Sequence, residues 1–159
     1  MIQIKRILTP TDCSEMSKEA ILYAMELNKI FKAKLTILNI ASPHRVSNLT
    51  EISTDMHQRM KAETSARNKK TFEDFWNSFE SAGADVELVQ EKGDAFIEII
   101  QYATKYEQDL IVIGTHGRTG LLRIMMGSVA EKVLRYSPIP VLTVKHKDVN
   151  YEAIARDSE

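Results

Sequence analysis

Short apolar segments rich in β-branched residues alternate along the chain with longer segments whose apolar residues recur at helical spacing. The four segments that predict strands most directly are Ile4 to Leu8, Leu35 to Ile40, Leu110 to Ile113 and Val141 to Val144. The third of these is uninterrupted by polar residues, which is typical of a strand buried on both faces of a parallel sheet. A looser alternation from Val86 to Gln90 predicts a fifth strand near a sheet edge.

The segments between these strands predict four helices. The first has an apolar face formed by Ala20, Ala24, Leu27 and Phe31, and either Asp12 or Ser14 can cap it after Pro10 stops the first strand. The other three are expected from Thr54 to Ala82 with Gly83 as terminator, from an Asp94 cap through Ala103, and from Ser128 to Tyr136. Strands alternating with helices predict right-handed crossovers and a parallel sheet.

Composition narrows the class of protein. A chain of 159 residues fits one domain that buries a core without disulfides or metal. The net charge of −1 gives no broad basic field, so charge indicates no nucleic-acid partner. The lone Cys13 is expected to be a small buried residue, and the absence of a signal segment and of a long apolar run predicts a cytoplasmic protein without a membrane span.

The stretch after the Leu110 to Ile113 strand carries the candidate chemistry. Glycines at 114, 117 and 120 follow the strand, and Ser128 and Glu131 have the spacing of a capping box that opens a helix. Glycines let a polar ligand approach backbone amides, and a helix N-terminus favours an anion. The combination predicts a cradle for a polyphosphate.

The glycine spacing separates this loop from two better-known phosphate motifs. A Walker loop would place a lysine before Ser128, where Gly127 stands, and the dinucleotide fingerprint Gly-x-Gly-x-x-Gly is absent. The chain has Gly-x2-Gly-x9-Gly-Ser on Gly114, Gly117, Gly127 and Ser128. This motif resembles that of the ATP-binding branch of the universal stress protein family, and the resemblance runs from Ile4 to Lys145.

The resemblance implies an α/β fold of the adenine nucleotide alpha hydrolase-like type. Its three layers hold an open five-stranded parallel sheet of order 3-2-1-4-5 with helices on both faces. The universal stress protein domain would span residues 1–147, followed by a tail of residues 148–159. In that strand order the crevice where ligands bind lies between strands one and four. The nucleotide-binding positions implied are Pro10, Thr11, Asp12, Ile40, Gly114, Thr115, His116, Gly117, Arg118, Thr119, Gly120, Gly127, Ser128 and Val129.

Several of these residues have a second interpretation. Asp12 either caps the first helix or lies at the nucleotide, where a carboxylate beside a triphosphate must accept from the ribose or hold Mg²⁺. Ile40 is a core side chain whose backbone matches the family's adenine-reading position. Arg118 either neutralises terminal phosphates or is a solvated charge. His116 is expected to lend its backbone N–H rather than to catalyse, because no carboxylate in the motif is placed to orient it.

The leading functional hypothesis is an ATP-binding, stress-associated regulatory protein that alters the surface read by an unknown partner protein. The alternatives are a slow ATPase or phosphotransferase and a nucleotide-free dimeric interaction module. AMP or another adenine nucleotide is also open as the ligand. The resemblance further implies a homodimer through the apolar edge strand Val141 to Val144. The tail from His146 to Glu159 either docks as a short helix on the partner or frays.

Overall fold

A computed structural model describes residues 3–41, 54–79, 85–115 and 126–145. Strands and helices alternate along the described chain, as the hydrophobic pattern predicts. The strands are β1 (Arg6–Thr11), β2 (Lys34–Ala41), β3 (Val86–Lys92), β4 (Leu110–Gly114) and β5 (Val141–Val144). The helices are α1 (Glu15–Phe31), α2 (Thr54–Asn77), α3 (Ala95–Lys105) and α4 (Ser128–Tyr136).

The five strands form one parallel sheet of order β3-β2-β1-β4-β5. The predicted fold class and strand order are therefore confirmed, and β3 lies at an edge as its looser alternation indicates. Two hydrophobic cores cover the faces of the sheet. One lies under α1 and α2 and includes Ile7 and Ile37, and the other lies under α3 and α4 and includes Leu8 and Leu38. Adjacent residues of one strand thus enter opposite cores, because side chains alternate across a strand.

Two element boundaries differ from the prediction. Strand β1 does not stop at Pro10 but continues through it to Thr11, which pairs with Asn39 of β2. Proline lacks an N–H donor but keeps its carbonyl acceptor, so one ladder can continue past it. Helix α2 ends at Asn77 rather than near Ala82. Its last turn tightens, since Phe79 N donates to the Trp76 carbonyl at 3.0 Å. The proposed terminator Gly83 lies outside the described residues.

The amino ends of β1 and β4 are joined by one carboxylate. Asp109 Oδ2 accepts from the backbone N–H groups of Lys5 at 2.8 Å and Arg6 at 2.9 Å, and Asp109 N donates to the Arg6 carbonyl at 2.9 Å. The Arg6 guanidinium returns a hydrogen bond to the Tyr106 carbonyl at 3.1 Å. These hydrogen bonds, together called the backbone clamp, fix the amino ends of the two central strands, at the end of the sheet opposite the predicted site. Within the described part of the chain, no helix combines the length and apolarity needed to cross a bilayer.

Candidate functional site

The two central strands part toward their carboxyl ends. Strand β1 pairs with β4 at Ile7 opposite Leu110 and at Leu8 opposite Ile111, whereas its pairing with β2 continues as far as Thr11. Strand order also reverses between β1 and β4. Strand β1 is followed by β2 and β3 on one side of this point, and β4 is followed by β5 on the other. A crevice at a reversal of strand order is where open α/β sheets bind ligands. The structure therefore places the ends of β1 and β4 side by side, as the resemblance implies.

The turn that leaves β1 is held by a chain of short hydrogen bonds. Asp12 Oδ1 accepts from the backbone N–H of Ser14 at 3.1 Å and from its hydroxyl at 2.6 Å. Ser14, and not Asp12, is the N-cap of α1, since its Oγ accepts from Ser17 N. Between them Cys13 has a φ of 61°, in the left-handed region that non-glycine residues rarely adopt. The half-buried Asp12 carboxylate thus supports the cap and stays beside the crevice.

The end of β4 is tied to the start of α4. Thr115 is buried, its N–H donates to the Val144 carbonyl at 3.0 Å, and its carbonyl accepts from Gly127 N at 2.7 Å. This last bond brings the N-terminus of α4 next to the end of β4. Gly114, Thr115 and Gly127 are therefore neighbours in space, although 12 positions separate Thr115 from Gly127.

The predicted capping box at the start of α4 is wrong. Gly127 is the N-cap and Ser128 the first helical residue, while Glu131 Oε1 lies 3.7 Å from Arg135 Nη2 and makes a surface ion pair. The box requires its serine at the N-cap position, one residue before the place that Ser128 occupies. Glycine has no side chain to accept from the first helical N–H groups. The N-terminus of α4 therefore lacks the side-chain acceptor that Ser14 gives to α1 and Asp94 gives to α3.

Strand β2 extends past the end of β1 at the same edge of the sheet. Its last pair with β1 is Thr11 opposite Asn39, and the next two residues, Ile40 and Ala41, pair with β3 alone. The side chain of Ile40 packs against the core under α3 and α4, as its interpretation as a core isoleucine predicts. Its backbone has no strand partner on the β1 side, which is the side of the crevice.

Thr9 carries a buried hydroxyl at the point where β1 and β4 part. The residue is fully buried, and its Oγ1 has no hydrogen-bond partner among the described residues. Thr11 lies two residues later on the same face of β1, and its hydroxyl is hydrogen-bonded. Its Oγ1 lies 2.8 Å from Ser17 Oγ and accepts from Cys13 N at 3.1 Å.

This contrast predicts opposite effects of one substitution at two neighbouring sites. Thr9→Val removes an unsatisfied buried hydroxyl without changing shape, and we expect it to raise the free energy of unfolding by about 1 kcal/mol. Thr11→Val breaks a satisfied network and should lower it by about 1 to 2 kcal/mol. Urea denaturation of the two variants and the parent measures both values. Equal destabilisation by the two substitutions would contradict the assignment of Thr9 as unpartnered.

Two amide side chains that the sequence interpretation did not select lie beneath the site. Asn39 is 6% exposed, and its Nδ2 donates to the Thr11 carbonyl at 3.0 Å and to Cys13 Sγ at 3.4 Å. Its Oδ1 accepts from Gln90 Nε2 at 2.8 Å, across 51 positions of the chain. The signal available in the sequence was one amide inside the otherwise apolar end of β2. An isolated amide does not name its partners.

A shallow groove of about 200 Å³ runs along the outer side of α4. It is lined by Ser128, Glu131, Lys132, Arg135 and Tyr136. Ser128 and Lys132 are four residues apart and so lie on one face of the helix, one turn from each other. The groove therefore places an exposed ammonium group one turn beyond the N-terminus of α4.

Several predicted positions fall outside the described residues. These are the loop residues His116, Gly117, Arg118, Thr119 and Gly120, and the tail from His146 onward. The predicted positions that are described lie at the ends of β1, β2 and β4 and at the start of α4. Among those described residues, no three His, Cys, Asp or Glu side chains gather to form a metal site by themselves.

Comparison with known proteins agrees with this architecture. Residues 3–145 match the model of the universal stress protein family. Universal stress protein MJ0531 of Methanocaldococcus jannaschii is 33% identical over 146 residues, which is 89% of this chain and 82% of that protein.

Solved structures show the same fold. That of MJ0577 from Methanocaldococcus jannaschii superposes with a TM-score of 0.70 at 26% identity, covering 92% of this chain and 99% of the other. A universal stress protein family protein of Arabidopsis thaliana, with AMP bound, superposes with a TM-score of 0.61 at 19% identity, covering 94% of each chain. With the family match over residues 3–145, the chain belongs to the universal stress protein family.

Proposed function

We propose that this protein binds an adenine nucleotide, with ATP as the leading ligand, and acts as a nucleotide-dependent regulator in a stress response. The observation that carries the proposal is the N-terminus of α4, which begins at a glycine cap and adjoins the end of β4 through the 2.7 Å bond from Gly127 N to the Thr115 carbonyl. Free amides at a helix N-terminus suit phosphate oxygens. The parted ends of β1 and β4 supply the adjoining crevice.

The described residues fit a nucleotide laid across the carboxyl edge of the sheet. The Ile40 backbone, unpaired toward β1, would read the adenine, and the Asp12 carboxylate would accept from the ribose hydroxyls. The phosphates would meet the amides at the start of α4 and the Ser128 hydroxyl, with the motif glycines 114 and 117 and the positions around them completing the cradle. Lys132, one turn along the α4 groove from Ser128, adds a positive charge toward the phosphate end.

Magnesium would enter with the nucleotide. A single carboxylate cannot hold Mg²⁺ alone, since this ion takes six oxygen ligands and in nucleotide sites receives several from phosphates and water. Asp12 is the described carboxylate in the turn at the crevice, and its Oδ1 already accepts from Ser14. We therefore propose that, if Asp12 holds Mg²⁺ in place of the ribose contact, the ion would neutralise phosphate charge and would not bind without nucleotide.

Regulation would follow from linkage. A ligand that binds one arrangement of the segment between Gly114 and Gly127 more tightly shifts the population toward that arrangement. The magnitude of the shift is set by the difference in affinity between arrangements. The segment joins β4 to α4, so nucleotide binding would change a surface at the carboxyl edge that a partner protein can read.

The test has two parts. Freshly purified protein is denatured and any released nucleotide is identified by chromatography. The emptied protein is then titrated with ATP, AMP, cAMP and GTP, with and without Mg²⁺, while ADP formation is followed. We expect adenine nucleotides to bind, GTP not to bind, and turnover to be slow. A Gly117→Val variant should lose phosphate-dependent affinity.

Other results would redirect the assignment. Absence of binding by both proteins would leave the glycines as turn residues and favour a nucleotide-free interaction module. Rapid ADP formation abolished by Asp12→Ala would favour an ATPase. Tighter binding of AMP than of ATP would remove the role proposed for the start of α4 in holding the terminal phosphates.

We also propose that two copies of the chain pair through β5, which is an edge strand of the sheet. Leu142 is 38% exposed at this edge, whereas Val144 is 7% exposed and belongs to the core under α1 and α2. An exposed apolar edge strand is an aggregation hazard unless it is paired or covered. Pairing of two β5 strands about a two-fold axis would cover it.

A charge at Leu142 should therefore dissociate the dimer. We expect the parent to sediment as a dimer and Leu142→Asp to shift toward monomer, with a dissociation constant raised at least about 10-fold by one buried unpaired charge. Leu88→Asp is the matched control, because Leu88 has the same 38% exposure in β3 at the opposite edge. A Leu142→Asp protein that stays dimeric would exclude β5 as the interface. A charge at Val144 would test core packing instead.

A further inference from the structure

The amide of Asn39 lies between two positions that the proposed function uses. Asn39 immediately precedes Ile40 in β2, and its Nδ2 donates to the carbonyl of Thr11 and to the sulfur of Cys13, the two neighbours of Asp12. One buried side chain therefore joins the strand that would read adenine to both sides of the residue that would read ribose.

The orientation of this amide is fixed by chemistry. The Thr11 carbonyl can only accept, so the nitrogen of Asn39 must face it and the oxygen must face Gln90. Gln90 then presents its Nε2 to Asn39 Oδ1 at 2.8 Å, and the same nitrogen lies 3.4 Å from the carbonyl of Asn68 in α2. Because a backbone carbonyl accepts at each end of this series of hydrogen bonds, each amide can take only one orientation.

The Asp12 turn needs such a restraint. Cys13 holds a φ of 61°, a conformation that is unfavourable for a non-glycine residue and persists only where the surroundings impose it. Thr11 Oγ1 accepts from the N–H of Cys13, and Asn39 contacts its sulfur. The turn is thus bound from its backbone and from its side chain.

Resting on the proposed function, we infer that Asn39 is a positioning residue that makes the site selective for ribonucleotides over nucleotides lacking the ribose hydroxyls. It does not touch the ligand in this assignment. It holds the Asp12 turn at a fixed distance from the Ile40 backbone, so that adenine and ribose can be engaged together. Gln90 supports this role, because its hydrogen bond to Asn39 Oδ1 keeps the Asn39 amide in one orientation.

The experiment compares the affinities for ATP and for 2′,3′-dideoxyATP, which differ only in the ribose hydroxyls. For the parent we expect ATP to bind about 10- to 100-fold more tightly, the range for hydrogen bonds to a charged group. Asn39→Leu should reduce this ratio to within about 3-fold of unity by weakening ATP binding while leaving dideoxyATP binding nearly unchanged. Asp12→Ala should do the same, and the double variant should add no further loss.

Asn28→Leu is the matched control for stability. Asn28 is 4% exposed, and its Nδ2 donates to the Ala33 carbonyl beyond the C-terminal end of α1. This contact lies at the amino ends of the strands, away from the candidate site. The Asn28→Leu variant should lose stability in urea as Asn39→Leu does, but it should keep the parent's ratio of ATP to dideoxyATP affinity. Gln90→Leu, at a half-buried position, provides a milder second variant that leaves Asn39 in place and should lower the ratio by about 3-fold.

The outcomes separate the two proposals. A parent that binds no adenine nucleotide removes the proposed function, and this inference with it. A parent that binds both nucleotides equally overturns the inference while nucleotide binding stands. The inference is overturned in the same way if Asn39→Leu keeps the parent's ratio of ATP to dideoxyATP affinity. Where that variant does not fold, an unchanged ratio in Gln90→Leu has the same meaning. Loss of stability alone would weaken the binding of both nucleotides equally and leave the ratio unchanged.

Discussion

Replacing Gly127 by aspartate should abolish tight nucleotide binding while making the protein slightly more stable. Gly127 is the N-cap of α4 with φ −57° and ψ 141°, backbone angles that any residue adopts. An aspartate there can accept from the first helical N–H groups and complement the helix dipole, which together should add about 0.5 kcal/mol to the free energy of unfolding. The same carboxylate would occupy the place proposed for a phosphate.

Its effect on affinity should be large. Two like charges about 4 Å apart cost about 4 kcal/mol at an effective dielectric constant of 20, and screening reduces this, so we expect ATP affinity to fall about 100- to 1000-fold. Gly127→Asn is the matched control, because it caps the helix equally well without the charge and should lose much less affinity. Calorimetric titration and urea denaturation measure the two quantities. Undiminished ATP binding by Gly127→Asp would exclude the N-terminus of α4 as the phosphate site.

Removing the Asp109 side chain should have the opposite profile, a large loss of stability with no change in ligand affinity. Asp109 Oδ2 accepts from two backbone N–H groups, those of Lys5 and Arg6, at the amino ends of the central strands. Hydrogen bonds to a charged acceptor contribute about 1.5 to 3 kcal/mol each, and the two share one oxygen at a partly exposed site. We expect Asp109→Ala to lower the free energy of unfolding by about 2 to 3 kcal/mol.

Glu107→Ala is the control for this prediction. The Glu107 carboxylate lies 3.0 Å from Arg6 Nη1, but its side chain is 82% exposed, so the pair should contribute less than about 1 kcal/mol. Arg6 also keeps its bonds to the Tyr106 and Glu107 carbonyls in that variant. Equal losses from the two substitutions would show that the surface ion pair, and not the backbone clamp, secures this edge. A changed ATP affinity in Asp109→Ala would show that the two sheet edges are coupled.

Much of the fold follows from local pattern. The uninterrupted apolar residues of β4 fit a strand with a core on each face, and the looser alternation of β3 fits an edge. Asp94 caps α3 as predicted, with its Oδ1 accepting from Ile97 N at 3.2 Å. These features depend on residues within a few positions of each other, so periodicity and capping preferences suffice to predict them. Strand order required the family resemblance, because periodicity does not say which strands are neighbours.

The glycine motif likewise predicted where the candidate site lies but not how it is built. Spacing alone allowed Ser128 and Glu131 to form a capping box, yet the helix already begins at Ser128, with Gly127 as its cap and with Gly127 N bonded to the Thr115 carbonyl. Pro10 was expected to end β1, but the ladder with β2 continues through it to Thr11, whereas the pairing with β4 already ends at Leu8. Each correction depends on a neighbour that the local sequence does not contain.

The sequence by itself determined the alternating elements, the two-faced burial of the central strands and the family motif at the carboxyl edge. Only the tertiary structure decided which polar groups meet. Asn39 reaches Gln90 across 51 positions and Asp109 reaches Lys5 across 104, while Thr9 in the same sheet is left without a partner among the described residues. The physical reason is that side-chain periodicity follows from the geometry of one element, whereas a hydrogen bond requires two groups placed within about 3 Å, which depends on how distant elements pack.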